Sequence, residues 1–264
     1  MTNRSVEIQE VRLPIAKIAE LSSQERYTYY MLGHMFNELM CLQKLASFTM
    51  PKHKDRRPAR IRPELSQTML IFRLASSKLW EAIIKLRRDE IRLILAKNVL
   101  PKMSDGTRRW KDLNDAVNSA SWLKVVRDGI GFHFPEYKDW TPFITPNADW
   151  VDDVIFVGER SCNTFYDAAD NLAKVWMFGR KSGASVTVNV APMINQMLDL
   201  LHTMNSFLEE SLGIFIAEFI LESKGESTLI GKVIAPEYED IAIPFWTAFK
   251  QTRRSPTSPT PSPA

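Results

Sequence analysis

The chain has 264 residues, 45% of them hydrophobic and 25% charged, which is the balance of an ordinary globular protein. This length is enough to bury a substantial core. The net charge of +3 permits a nucleic-acid partner without arguing for one, because the local distribution of charge matters more than its sum.

Two sequence features bear on the compartment. The N-terminus has no apolar signal-peptide segment, and the most apolar stretch, residues 212–221, contains Glu218 and is far shorter than the ~20 residues of a membrane span. The cysteines, Cys41 and Cys162, lie far apart in apolar-periodic segments, which predicts buried thiols rather than a disulfide. We therefore expect a cytoplasmic protein with no membrane partner.

The N-terminal part predicts an arm followed by a long helix. Residues 1–20 alternate weakly between apolar and polar side chains, so we expect an arm, extended or a short strand, that packs onto the body. Ser22 and Glu25 form a capping-box pattern. Apolar residues at spacings of three and four then predict an amphipathic helix over residues 23–49, which Pro51 ends.

A second long helix is predicted over residues 67–99, with Ser66 as its cap. Its apolar residues indicate burial on at least one side. A basic band lies on or near the other face and consists of Arg87, Arg88 and Arg92.

The remaining elements are shorter, apart from one. A polar helix is expected over residues 108–120, and Ser121 can cap the next segment, which should end or bend before Pro135. Proline and tryptophan predict a loop over 134–152. The best strand candidate is 153–158, followed by helices over 162–178 and 190–223 and a short terminal segment over 237–250.

These patterns predict an all-α fold: a helical bundle of long antiparallel helices with additional short helices and room for one minor strand pair. The expected organisation is an N-terminal arm (1–20), a single helical-bundle domain (21–250) and a disordered Pro/Ser tail (251–264), which from Ser255 contains only Ser, Pro, Thr and Ala.

A basic loop separates the first two long helices. Residues 52–62 hold six Lys or Arg against one Asp, and the cations are Lys52, Lys54, Arg56, Arg57, Arg60 and Arg62. One interpretation is a solvated connector. The other is a loop that contacts nucleic-acid phosphates, together with Arg87, Arg88 and Arg92.

In the segment from Arg127 to His133 a guanidinium, a carboxylate and an imidazole fall within seven residues. An Arg four to six residues before a His is expected roughly 0.8 times by chance, so the spacing alone means little. Requiring Asn, Asp or His directly after the Arg lowers this expectation to roughly 0.1. Asp128 meets that requirement.

Arg127, Asp128 and His133 resemble the R-x4–6-H motif of the HEPN superfamily, whose Arg is commonly followed by a polar residue. The resemblance covers about residues 21–180 in helix order and these few residues in motif. It implies a helical-bundle, metal-independent endoribonuclease, with Arg127 and His133 catalytic, Asp128 supporting, and no cofactor. It also implies a homodimer, RNA as the substrate, and a role in toxin–antitoxin or defence systems with a protein antitoxin or regulator as partner.

The chemistry suits these residue types. Histidine can transfer protons near neutral pH, and arginine offers a fork of N–H groups to a phosphorane. The alternative interpretation is structural: a surface pair of Arg127 and Asp128, and a buried His133 at a helix end. A catalytically silent, dimeric helical module that binds a protein partner or nucleic acid would then fit the chain.

Two further histidines stand beside carboxylates at helical spacing: His34 with Glu38, and His202 with Asp199. Two such pairs facing each other could hold a metal. Sites of that kind usually need more carboxylates, so we expect polar pairs and no metal site.

Overall fold

The computed structural model describes residues 3–132, 134–144, 154–159, 163–179, 191–221 and 227–248. Within these ranges the chain is mostly helical, which confirms the all-α bundle. The helices are α1 (Ile15–Glu20), α2 (Ser23–Thr49), α3 (Pro58–Leu86), α4 (Asp89–Ile94), α5 (Gly106–Ser119), α6 (Trp122–Val126), α7 (Tyr137–Ile144), α8 (Asp167–Gly179) and α9 (Ala191–Phe219). The strands are β1 (Asn3–Val11), β2 (Ile155–Val157), β3 (Thr164–Tyr166) and β4 (Ser227–Pro236).

The core lies between the three long helices, with α2 in contact with both α3 and α9. Thr68 on α3 donates to the carbonyl of Thr49 at the end of α2, and Lys78 reaches back to Glu38, so the two helices are antiparallel. Helix α9 also runs antiparallel to α2, because its earlier turns meet the later turns of α2. Fully buried side chains fill the space between them, including Leu32, Leu39, Phe72, Leu79, Ile83, Leu201, Phe207 and Leu208.

Helix α2 matches its prediction at both ends. The Ser22 hydroxyl accepts from the amide of Glu25, and the Glu25 carboxylate accepts from the amide of Ser22, which is the predicted capping box. Hydrogen bonding from the side chain of Ser22, and then from its backbone, lowers the pKa of the Glu25 carboxyl group. The prediction for Cys41 is wrong, because this thiol lies on the exposed face of α2.

The second long helix begins before its predicted start, so Ser66 is not its cap. Pro58 occupies the first turn, where a residue without an amide N–H is tolerated. Pro63 is also helical and cannot donate to the carbonyl of Ala59, four residues earlier. The indole N–H of Trp246 takes that acceptor at 2.8 Å, so the missing hydrogen bond is replaced from the C-terminal segment.

The same helix ends at Leu86, contrary to the prediction of one element to residue 99. The chain leaves the α3 helix at Arg87, re-enters helix at Asp89, and closes with a π-helical turn over Leu95–Val99. The side chain of Arg87 turns toward α5, where it donates to Asn114 at 2.7 Å and to Asn118 at 2.8 Å. The basic band is therefore divided by a helix break.

A two-stranded antiparallel ribbon joins the two ends of the described chain. Strand β1 pairs with β4, which the sequence patterns did not predict, with a bulge between Ile8 and Gln9. The predicted arm does not pack onto the helical body over these residues, because both strands are exposed along nearly their whole length. Their exposed apolar side chains are Val6, Ile8, Val11, Leu229, Ile230, Val233 and Ile234.

A second ribbon, β2 with β3, confirms the strand candidate and shortens the helix after it, because residues 164–166 pair as a strand before α8 begins. The predicted loop after Pro135 contains the helix α7. None of the helices in the described ranges has the length and apolarity needed to cross a membrane. Cys162 and the predicted tail lie outside the described residues.

Candidate functional site

The segment carrying Arg127 leaves α6 as a π-helical turn over residues 127–131, a geometry that often marks functional positions. Two glycines let this turn approach its neighbours. A Cβ on Gly131 would lie 1.9 Å from the hydroxyl of Ser77 on α3, and one on Gly129 would lie 2.9 Å from the ring of Trp176 on α8. Close packing therefore explains why these residues are glycines.

Arg127 extends from this turn to the surface, where two carboxylates hold it. Its Nε donates to Glu81 at 2.6 Å, and its Nη1 donates to Asp128 at 2.9 Å. The hydrogen bonds to Asp128 and then to Glu81 raise the pKa of Arg127. Lys124 and Arg127 lower the pKa of Asp128, so this carboxylate stays ionised and can position the guanidinium rather than transfer protons.

A cleft of about 280 Å³ adjoins Arg127 between α2 and α3, and we call it the α2–α3 cleft. Its polar lining consists of His34, Glu38, Lys78, Glu81 and Lys85. Lys78 donates to Glu38 at 2.9 Å, and the imidazole of His34 lies 3.8 Å from the same carboxylate. Glu81 thus belongs both to this cleft and to the ion pair of Arg127.

The third residue of the motif, His133, lies outside the described residues. The structure therefore provides the environment of Arg127 and Asp128 alone. It contains the Arg127–Asp128 pair that the structural interpretation expected, and it adds Glu81, which both interpretations lacked.

The basic loop leads to a second cleft, at the other end of α3. This cleft has a volume of about 600 Å³, and we call it the basic cleft; it is lined by Arg57, Ala59, Arg60, Glu64, Ile155, Phe156, Val157, Gly158, Pro244 and Trp246. Asp55 binds Arg57 through two nitrogens, with the shortest contact at 2.7 Å, and lies 3.5 Å from Arg60. Arg57 holds the pKa of Asp55 well below its usual range.

A histidine–carboxylate pair adjoins the basic cleft. Nε2 of His53 lies 2.5 Å from Glu64, whose side chain is 9% exposed, and Arg60 stands 3.8 Å from the same carboxylate. A smaller cleft of about 310 Å³ shares Arg60 and Glu64 with the basic cleft and includes Lys52 and His53. The amine of Lys52 donates to the carbonyl of Glu239 at 3.0 Å.

The other predicted nucleic-acid contacts are dispersed. Arg62 pairs with the nearly buried Asp167 and ties α3 to α8, and Arg87 is bound to α5. Arg92 pairs with Asp89 at 2.7 Å. Of the predicted nucleic-acid contacts, Lys54, Arg56 and Arg88 are exposed and form no ion pair within the described part of the chain.

The two histidine pairs considered for a metal do not meet. His34 and Glu38 line the α2–α3 cleft, whereas Asp199 and His202 lie on α9, outside that cleft. Within the described ranges no group of three or more His, Cys, Asp or Glu side chains has a geometry that could hold a metal ion.

Sequence reasoning missed Glu81 and Trp246. Glu81 is separated from Arg127 by 46 positions, and Trp246 from Ala59 by 187, so no local spacing connects them. A weak signal existed for Glu81, because it lies four residues before Lys85 and three after Lys78 on a predicted helix.

Comparison of the chain with known protein families, with curated proteins and with solved structures finds no match.

Proposed function

We propose that the protein is a HEPN-like endoribonuclease that cleaves RNA without a metal ion, with Arg127 and His133 as catalytic residues and Asp128 as a positioning residue. The observation that carries the proposal is the state of Arg127. Its guanidinium is fixed by two carboxylates at the surface, and three of its five N–H donors form no hydrogen bond with any described residue. These donors are available to a phosphate.

The proposed reaction needs only the RNA and these side chains. The 2′-oxygen attacks the adjacent phosphorus as its proton is removed, and the bond to the 5′-oxygen breaks as that oxygen takes up a proton. The products are a 2′,3′-cyclic phosphate and a 5′-hydroxyl. Arg127 compensates the charge on the phosphorane, and the imidazole of His133 transfers the protons. The assignment to His133 rests on the sequence motif.

The ion pair with Glu81 has a consequence for this reaction. A phosphate that approaches Arg127 competes with the Glu81 carboxylate for the guanidinium, so part of the binding free energy is used to separate that pair. Replacing Glu81 by Gln removes the competing charge and keeps the shape. We expect Glu81→Gln to bind RNA more tightly than the wild type, by about threefold to tenfold.

The experiment is RNA cleavage by purified protein in EDTA, with analysis of the product ends. We expect cyclic phosphate ends, and a loss of at least about a hundredfold in rate in His133→Ala and in Arg127→Ala. Arg108→Ala is the control, because Arg108 forms a similar exposed pair with Asp105 away from both clefts. Unchanged cleavage in His133→Ala, with the helical content intact by circular dichroism, would refute the assignment.

The remaining features of this proposal follow from the family resemblance. They are a site completed across a homodimer and a toxin or defence role with a protein antitoxin or regulator. Action in the cytoplasm, expected from the sequence features described above, belongs to the same proposal.

A second candidate function is a catalytically silent interaction module that forms a dimer, and the β1–β4 ribbon favours it. An isolated two-stranded ribbon is marginally stable in water, yet this one exposes apolar side chains along both strands. If two β1 strands pair antiparallel about Glu7, Arg4 lies opposite Glu10 of the second copy and Val6 opposite Ile8. This candidate predicts a dimer by light scattering and no RNA cleavage. A monomer that cleaves RNA would exclude it.

A further inference from the structure

The basic cleft and the smaller cleft beside it have a surplus of positive charge. Their cations are Lys52, Arg57 and Arg60, against the lining carboxylate Glu64 and against Asp55, which pairs with both arginines. The α2–α3 cleft differs, because its lining balances Lys78 and Lys85 against Glu38 and Glu81. The excess charge around the basic cleft favours an anionic ligand.

Two guanidinium groups stand side by side at its edge. Asp55 accepts from both Arg57 and Arg60, which fixes their spacing without using all their donors. The side chain of Arg57 is 80% exposed and that of Arg60 is 46% exposed, so both remain accessible to a ligand in the cleft. Paired guanidiniums of this kind match the geometry of a phosphate.

Aromatic and apolar side chains make up much of the remaining lining of the basic cleft. Trp246 and Phe156 line the cleft with Ile155 and Val157. Each of the two rings contacts a second ring, since Phe156 stacks on Phe165 with centroids 6.4 Å apart and Trp246 meets Phe245 edge-on at 5.1 Å. A planar aromatic ligand can stack on such rings without disturbing the protein.

The position of Trp246 is itself fixed by α3. Its indole donates to the carbonyl of Ala59 that Pro63 leaves without a helical partner, one residue before Arg60. Thr247 and Asn163 add two hydrogen bonds, at 2.7 Å and 3.1 Å, between the C-terminal segment and the start of β3. These hydrogen bonds attach Trp246 to the same end of α3 that carries Arg60.

We propose that the basic cleft binds a nucleoside phosphate unit, with the base against Trp246 and Phe156 and the phosphate on Arg57 and Arg60. A volume of about 600 Å³ is within the usual range of small-ligand sites. The unit can be a free nucleotide or one residue of a single RNA strand, since both present an aromatic base and a phosphate.

This site is separate from Arg127. Arg60 and Glu81 are 21 residues apart on the same helix, which corresponds to about 32 Å at 1.5 Å per residue. The proposal therefore goes beyond the ribonuclease proposal and does not depend on it. Arg127→Ala and His133→Ala should bind the unit as the wild type does, whether or not the protein cleaves RNA.

The test is calorimetric titration with adenosine 5′-monophosphate, adenosine, inorganic phosphate and a hexa-adenylate RNA. We expect the Arg57→Ala/Arg60→Ala double variant to weaken monophosphate binding at least about tenfold. The matched control is Arg108→Ala/Lys111→Ala, which removes the same charge from two exposed ion pairs on α5 and should stay within twofold. Phe156→Leu should weaken binding about fivefold or more by removing one ring.

The ligand series separates the two sources of the unit. If the hexanucleotide binds at least tenfold more tightly than the monophosphate, and loses affinity in the arginine double variant, the ligand is an RNA strand. If the two bind equally, it is a free nucleotide. No monophosphate binding at millimolar concentration would overturn the proposal. So would equal affinity for inorganic phosphate, or an arginine double variant that binds like the wild type.

Discussion

The two ends of α3 carry two clefts of different construction. At the C-terminal end, Arg127 forms ion pairs with Glu81 and Asp128. The backbone turn that carries it packs closely against α3 and α8, because Gly131 and Gly129 have no side chains. At the N-terminal end, Arg57 and Arg60 share one carboxylate and line a cleft that also holds aromatic rings. A charge-balanced site with a rigid backbone suits a group that must be held in one place. A site with surplus charge and ring faces suits ligand capture.

The largest effect on stability that we expect comes from the close backbone packing at the Arg127 end of α3. Gly131→Ala places a Cβ against the buried Ser77, which donates to the carbonyl of Arg73 and cannot turn away without losing that bond. We expect the free energy of unfolding to fall by about 1–3 kcal/mol, measured by urea denaturation.

Gly33→Ala is the control for this variant. Gly33 lies inside α2, and a methyl group at this position would have no described atom within 4 Å apart from its own helix backbone and neighbours. Alanine should therefore stabilise the protein by about 0.5–1 kcal/mol through helix propensity. Nucleotide binding at the basic cleft should persist in folded Gly131→Ala. Equal stabilities for the two glycine variants would mean that the turn is not packed as described.

The next effect, about 1 kcal/mol, concerns the other end of α3. Trp246→Phe removes the indole donor to Ala59 and should lower the free energy of unfolding by about 0.5–1.5 kcal/mol. In a Pro63→Ala background the new amide at position 63 can donate to the same carbonyl. The loss caused by Trp246→Phe should then be smaller, which a double-mutant cycle measures.

Trp122→Phe is the matched control for the cycle. Trp122 donates to Gln196 at 2.8 Å, a hydrogen bond of the same kind at a site remote from Pro63. Its substitution should lower stability equally in both backgrounds. A Trp246→Phe effect that is independent of residue 63 would show that the indole does not replace the missing helical hydrogen bond.

These contacts explain how far the sequence could predict the fold. Helices α2 and α9 follow from apolar spacing, and α2 also from its capping box, because these signals are local. The predicted start of α3 is wrong because Pro58 and Pro63 resemble loop residues. What permits Pro63 in a helix is Trp246, near the other end of the chain. Strand β4 escapes prediction for a similar reason, since its partner β1 lies at the N-terminus.

The candidate sites divide in the same way. The pair of Arg127 and Asp128 was predictable because adjacent residues at a helix end meet. The ion pair with Glu81 was not, since it depends on how α6 crosses α3. The basic loop was predictable from the run of Lys and Arg over residues 52–62. Only folding separates Arg57 and Arg60, which line a cleft, from Arg62, which binds Asp167.

The smallest effect concerns acid stability at the Arg127 end. Lys124 and Arg127 lower the pKa of Asp128 in the folded protein. A carboxylate with a depressed folded pKa contributes stability above its unfolded pKa of about 3.9, and this contribution disappears as the pH falls through the folded value. Because the side chain is 39% exposed, solvent screening limits the contribution to a few tenths of a kcal/mol.

Wild type should therefore exceed Asp128→Asn in melting temperature by a small margin at pH 7, and the margin should vanish by about pH 2. A margin that stays constant from neutral to acid pH would contradict the ion pairing of Asp128, and with it the positioning role proposed for this residue.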